Sequence, residues 1–339
     1  MLYRRSSVMT AAVMLAFMAL LAGCGTADRQ PSSVQYVKSP SELNRTANNL
    51  KSVQRELYLS DANGFLAPQT IALPASNAPA KQVLDYLAQD GPVTDLLPNG
   101  FQAILPAGTI VKSVSLDQQG LLTADFSREL LDAPAGDQDK IVQSVVWTLT
   151  QFDTVKKVTI RVNGRILNEW PGSKKPVGQG LTRSDGINET FGGVADVADS
   201  VPATVYYLSS NKGKSYDVPV TVRMTQAGSD DLYGLVNTLI HEPAGSAFIS
   251  TFSPETELVE KPVVKNGVVY LHFNDALYAN KESKTISDDA FRCLVLTLTG
   301  EKGIRLVSIK VGSSDKVMLE SGKTIAGPVS RSMVSPAGL

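Results

Sequence analysis

Apolar positions along this chain follow a period of two, then a helical period, and the whole alternation occurs twice. Short β-rich runs at Arg55 to Ser60 and at Thr204 to Ser209 predict strands. Each is followed by a helical stretch: Pro79 to Asp90, with Val83, Leu84 and Leu87 on one face, and Asp231 to His241, with Leu232, Leu235, Val236 and Leu239. Pro79 suits a first helical turn, and Gly91-Pro92 stops the helix. Strands return at Thr109 to Leu116 and Leu121 to Phe126, split by Asp117-Gln118-Gln119-Gly120. Their counterparts are Glu257 to Val264 and Val268 to Phe273, split by Lys265-Asn266-Gly267, and both splits are hairpin signals. Second helices are predicted at Asp137 to Gln151 and Ser287 to Thr299, and closing strands at Lys157 to Val162 and Ile304 to Val311.

The order β-α-β-β-α-β predicts an α+β fold: a mixed sheet with both helices packed on one face and the other face solvated or pressed to a partner. Interleaved polar and apolar residues in Thr123-Ala124-Asp125-Phe126 and Tyr270-Leu271-His272-Phe273 fit a strand covered on one side. The two units also match residue by residue. Tyr58-Leu59-Ser60 recurs as Tyr207-Leu208-Ser209, and the segment Gly120 to Leu130 is echoed by Gly267 to Leu277. Trp147-Thr148-Leu149-Thr150 pairs with Leu296-Thr297-Leu298-Thr299, Val158 to Val162 with Val307 to Val311, and Arg183-Ser184 with Arg331-Ser332. Near-constant spacing over so many matches indicates duplication of one domain. The Arg183 match implies that the Pro- and Gly-rich segment after Val162 folds back on its own domain. The expected layout is therefore a first domain over 55–191, a joint over 192–203 and a second domain over 204–336.

Ahead of the repeats the pattern changes. Arg4 and Arg5 precede an apolar run from Val8 to Leu21 that ends in Leu21-Ala22-Gly23-Cys24, the cleavage pattern of bacterial lipoprotein precursors. It implies removal of residues 1–23, a diacylglyceryl thioether on Cys24, attachment to the outer face of a membrane and a flexible tether over 24–54. The run falls short of the roughly 20 apolar residues that span a bilayer. Lys and Arg number 32 against 33 Asp and Glu, and losing Arg4 and Arg5 makes the body slightly more acidic, which gives no electrostatic case for nucleic acid.

Candidate chemistry is sparse. With Cys24 consumed by lipid, Cys293 has no intramolecular partner, and its apolar neighbours predict a buried structural thiol. His241 falls near a helix end and His272 takes the place of Asp125, so the two histidines are not repeat-equivalent, and no HExxH or paired metal-ligand spacing occurs. Asp230-Asp231 and Asp288-Asp289 read as helix-terminal charges, Glu255, Glu257 and Glu260 as loop charges, and Gly178-Gln179-Gly180 and Gly192-Gly193 as turns or joints. No catalytic set, metal site or cofactor site is expected, and the chain is not read as an enzyme. Tyr58, Tyr207, Tyr270 and Phe273 are expected in sheet packing. Trp170, beside Pro171-Gly172, is either an anchor for the fold-back segment or a contact offered to a protein or wall partner.

The Tyr-Leu-Ser openings, the Gly120-to-Leu130 and Gly267-to-Leu277 segments, the helix and strand after each and the lipid signal at Cys24 together resemble tandem GerMN domains, over almost all of the chain from Cys24 onward. That resemblance implies a fold akin to ring-building motifs. It also implies a structural role in the sporulation envelope: support for localisation or assembly of the mother cell–forespore channel complex, needed for cortex formation and germination. Implied partners are the membrane through the Cys24 lipid, components of that channel complex and peptidoglycan; the implied location is the extracytoplasmic side of the cell membrane, in the intermembrane space around the forespore. No catalytic residues are inherited from it. The rival expectations are a cell-wall-remodelling enzyme, which needs a pocket with convergent polar groups, and a solute-binding lipoprotein, which needs a deep interdomain cleft.

Overall fold

A computed structural model describes residues 52–94, 96–98, 100–189, 200–225, 232–241 and 247–335. Cys24, the signal, nearly all of the tether, Gly192-Gly193, Asp230-Asp231 and most of the joint lie outside the described residues. Within them, the first repeat opens with a hairpin of β1 (Ser52–Ser60) and β2 (Leu66–Pro74), followed by α1 (Pro79–Asp85). Then come β3 (Val111–Leu116), β4 (Leu121–Phe126), α2 (Gln138–Leu149), β5 (Lys157–Val162) and the short β6 (Arg165–Ile166). The second repeat runs β7 (Ser200–Asn211), β8 (Lys214–Thr225), α3 (Leu232–Ile240), β9 (Val263–Lys265), β10 (Val268–Phe273), β11 (Thr285–Ile286), α4 (Asp288–Leu298) and β12 (Leu306–Val311). It closes with β13 (Val317–Leu319), β14 (Thr324–Ile325) and β15 (Val329–Ser330).

The α+β order, the duplication, the mixed sheets and four helices stand as read. In each repeat a parallel pair, β4 with β5 or β10 with β12, is flanked by antiparallel strands. What the sequence reading lacked is the second arm of each opening hairpin, β2 and β8. The opening strands pair with these arms and form two-stranded sheets of their own, apart from the central sheets. Pro68 and Pro219 sit inside the missed arms, opposite Tyr58 and Tyr206. Proline cannot donate to a ladder, but each arm of a two-stranded ribbon has a free edge that a missing N–H does not disrupt. Lys212 and Gly213 turn the second hairpin with positive φ at both positions, 47° and 78°, the two-residue turn whose twist suits paired strands.

Two further differences have local causes. Helix α1 ends at Asp85 rather than Asp90, because the backbone beyond it turns to pair with Ile104 and Leu105: Leu87 O accepts from both of their N–H groups. The expected strand Glu257 to Val264 survives only as β9, since Pro262 interrupts it, while Leu258 still bridges Phe273.

Helix α2 lies between the opening hairpin and the central sheet, which explains its unusual burial. Ile141, Val145, Val146 and Leu149 are apolar, yet Ser144 and Thr148 are equally buried. Both hydroxyls serve the hairpin: Ser144 Oγ donates to Tyr58 O at 2.6 Å, and Tyr58 N–H donates to Thr148 Oγ1 at 3.1 Å. Helix α4 repeats the second bond, with Tyr206 N–H donating to Thr297 Oγ1 at 3.0 Å. Tyr58 is therefore the structural counterpart of Tyr206, one residue away from the Tyr-Leu-Ser match with Tyr207.

The fold-back segment packs on its own domain. Leu181 and Val158 exchange backbone hydrogen bonds at 2.8 Å, and Gly180 N–H donates to Thr159 Oγ1. It ends at the repeat seam. Arg183 donates to Trp147 O and Thr150 Oγ1 at the C-terminus of α2, and Arg331 donates to Leu296 O at the C-terminus of α4, where a cation suits the helix dipole. Beyond Arg183, Ile187 joins Thr221 of β8 through two bonds, Thr221 N–H to Ile187 O at 2.8 Å and Ile187 N–H to Thr221 Oγ1 at 2.9 Å. Asn188 accepts from Leu66 N–H and donates to Leu66 O and Pro219 O, tying β2 to β8.

Aromatic contacts complete the seam. Phe65 meets Phe248 at 5.0 Å, Phe248 stacks on Tyr207 at 4.9 Å, and Phe101 meets Tyr216 edge-on at 4.9 Å. Asp61 fixes its own turn by accepting from Asn63 and Phe65 N–H, and its other oxygen takes the Tyr216 hydroxyl at 2.8 Å. Burial first, then that carboxylate contact, push the Tyr216 phenol up to about 12. Gly100, at φ 87°, abuts Asn211 so closely that a Cβ there would overlap its amide.

Candidate functional site

The residues singled out in the sequence are dispersed. Trp170 is 1% exposed, held under the fold-back segment, where its backbone N–H donates to Lys175 O. The contact surface weighed for it is thus corrected: the ring is enclosed by its own domain and cannot face a partner. Cys293 lies buried on α4 with its thiol 3.9 Å from Asp217 Oδ1, and burial first, then the Asp217 charge, push that thiol well up. In the chain from residue 25 onward we expect Cys293 to resist a thiol-alkylating reagent while folded and to react in full once denatured; rapid labelling of native protein would refute this enclosure.

His272 stands on the outer face of the second sheet. Its Nε2 lies 2.7 Å from Gly312 O, which can only accept, so Nε2 carries a proton, and its Nδ1 lies 3.1 Å from Glu260 Oε1. Asp125 makes the inverted contact in the first repeat, accepting from Gly164 N–H at 2.9 Å. The exchange of Asp for His thus preserves a turn-fixing bond. His241 follows α3, with its N–H bonded to Asn237 O. Asp288 accepts from Ser321, Asp289 pairs with Arg292 at 2.7 Å, and Gly178 to Gly180 belong to the fold-back segment, so each has a local structural task.

Among the described residues no group of three or more His, Cys, Asp or Glu side chains is placed to hold a metal, and no helix is long and apolar enough to cross a membrane. A cleft of about 700 Å³ runs between α2 and the fold-back segment. Its carboxylates are already engaged: Asp139 with Lys175 at 2.8 Å, Glu189 with Arg223 at 2.8 Å, and Asp185 in a capping box with Thr182. A hollow of about 380 Å³ opens at the seam beside Glu56, Tyr58, Tyr206 and Arg331. The Arg292 Nε–H there is shared between both oxygens of Asp217 at 2.9 and 2.7 Å, and burial raises the Asp217 carboxyl while Arg292 opposes the shift.

The expectation of Tyr270 in sheet packing needs correction. Tyr58, Tyr207 and Phe273 are buried, but Tyr270 points outward, because Val269, Leu271 and Phe273 take the inward positions of β10. The alternation of Tyr270-Leu271-His272-Phe273 already carried that signal.

Comparison with known proteins follows this duplication. The Germane family, described as "Sporulation and spore germination", matches residues 56–168 and again residues 204–316, a spacing that pairs Tyr58 with Tyr206 as the structure does. The chain is 43% identical over 300 residues to the spore germination protein GerM of Bacillus subtilis (strain 168), covering 87% of this chain and 82% of that protein. The solved tandem GerMN domains of the sporulation protein GerM from Bacillus subtilis superpose with a TM-score of 0.77 at 44% identity, over 82% of this chain and 98% of that one. With two copies of the domain, and with sequence and fold shared over most of its length, the chain belongs to the Germane family of sporulation and spore germination proteins.

Proposed function

We propose that the chain is a lipid-anchored, non-catalytic assembly protein of the sporulation envelope. It sits on the extracytoplasmic side of the cell membrane, in the space around the forespore, held by the lipid on Cys24. There it supports the localisation or assembly of the mother cell–forespore channel complex, and through that complex cortex formation and germination. The observation that carries this reading is the seam: two copies of one domain joined by the Ile187–Thr221 and Asn188 bonds present two sheet faces in a fixed relation. Linked contact surfaces raise effective concentration at an assembly site, and a membrane tether narrows the search further.

Two experiments test it. In a strain lacking the chain, channel components are expected to lose their localisation, and normal localisation would refute the assembly role. Cys24→Ser is expected to move the protein from the membrane fraction to the soluble one; retention in the membrane would refute the lipid anchor.

A further inference from the structure

The two repeats provide an internal control for their outer sheet faces. In the first, Ser115, Thr123 and Thr159 stand side by side across β3, β4 and β5. The same places in the second, across β9, β10 and β12, hold Val263, Tyr270 and Ser308. The fold forms with hydroxyl residues at these places, so packing does not demand valine and tyrosine there. Val263 and Tyr270 are each 45% exposed, and Val259, whose N–H bonds His272 O, is 58% exposed, which gathers large apolar groups on one face.

Around them lies a hollow of about 390 Å³, rimmed by Lys261, Lys265 and Lys310 and by Glu260 and Asp315. Glu260 is drawn to His272, whereas none of the three lysines forms an ion pair among the described residues. We propose that this face docks an acidic segment of a partner protein, with a bulky apolar side chain entering the hollow beside Tyr270 and carboxylates opposite Lys265 and Lys310. The surplus of lysines disfavours a second copy of the same face, since like charges would meet. A concave surface with two carboxylates on its rim fits a shaped protein partner better than the plane of an anionic bilayer. The inference gives the assembly role a contact surface and rests on that reading for its biological partner.

The test pans a phage-displayed random peptide library against the chain from residue 25 onward, which retains every described element. Recovered peptides are expected to carry acidic residues around one bulky apolar residue. Their binding should weaken at least about ten-fold in Tyr270→Thr/Val263→Ser, which transplants the first repeat's residues, and in Lys265→Glu/Lys310→Glu. The mirror variant Thr123→Tyr/Ser115→Val should leave their binding unchanged. Peptides without acidic residues, or binding indifferent to the transplant, would overturn the proposal. So would transplant-sensitive binding to phosphatidylglycerol vesicles, which would assign the face to a bilayer. Each outcome is independent of the Cys24 and channel-localisation results, so this proposal and the assembly role can fail separately.

Discussion

Trp147→Ala is expected to cost about 3–5 kcal/mol of folding stability, the range for emptying a buried aromatic site. The indole is almost fully enclosed, with the Tyr58 ring at 5.3 Å and the Arg183 guanidinium at 4.7 Å from its ring. Its N–H donates to Gly186 O at 3.1 Å, so truncation also strips a carbonyl of its partner beside the seam. The second repeat carries Leu296 at the equivalent position of α4. Trp147→Leu should therefore recover much of the loss, leaving mainly the missing indole bond and the reduced volume. Urea denaturation followed by far-UV circular dichroism measures both variants, and equal losses for Ala and Leu would show that cavity volume is not the cause.

A second large effect is expected at the seam. Asn188→Asp changes almost no volume, yet it replaces the amide that donates to Leu66 O and Pro219 O, at 2.7 and 2.9 Å, with an oxygen facing both carbonyls. Two acceptors lose their donor and meet negative charge, for an expected loss of about 2–4 kcal/mol. Asn188 ties β2 to β8, so the loss should fall on the coupling between repeats as well as on global stability. Hydrogen exchange should quicken at Leu66 and Thr221 before the cores of α2 and α4 open. Unchanged exchange at those two amides would refute the part assigned to Asn188.

The duplication, the four helices and the central strands were legible because they rest on period and spacing, which survive without tertiary context. The hairpin arms β2 and β8 were not, because Pro68 and Pro219 mark a run as non-strand unless it is known to have a free edge. Ser144 and Thr148 break the apolar stripe of α2 for a related reason: a helix covered on two sides can spend hydroxyls on a neighbouring strand, and the sequence does not announce the second cover. The one-residue offset between Tyr206 and Tyr207 arises from adjacent tyrosines in β7, where the bond to Thr297 and the pairing with Pro219 select the true counterpart. The burial of Trp170 depends on how the fold-back segment closes over it. The exposed face at Tyr270 was within reach of simple alternation, but its meaning came only from comparison with Thr123 in the other repeat.

The seam also determines how the molecule would behave under tension. Any pull exerted between the two repeats loads the short bonds at Ile187, Asn188 and Asp61. These bonds span fixed, short distances and stretch little before they break. The pair should thus respond as a stiff strut until those bonds part, a mechanical fuse at the boundary between the duplicated halves.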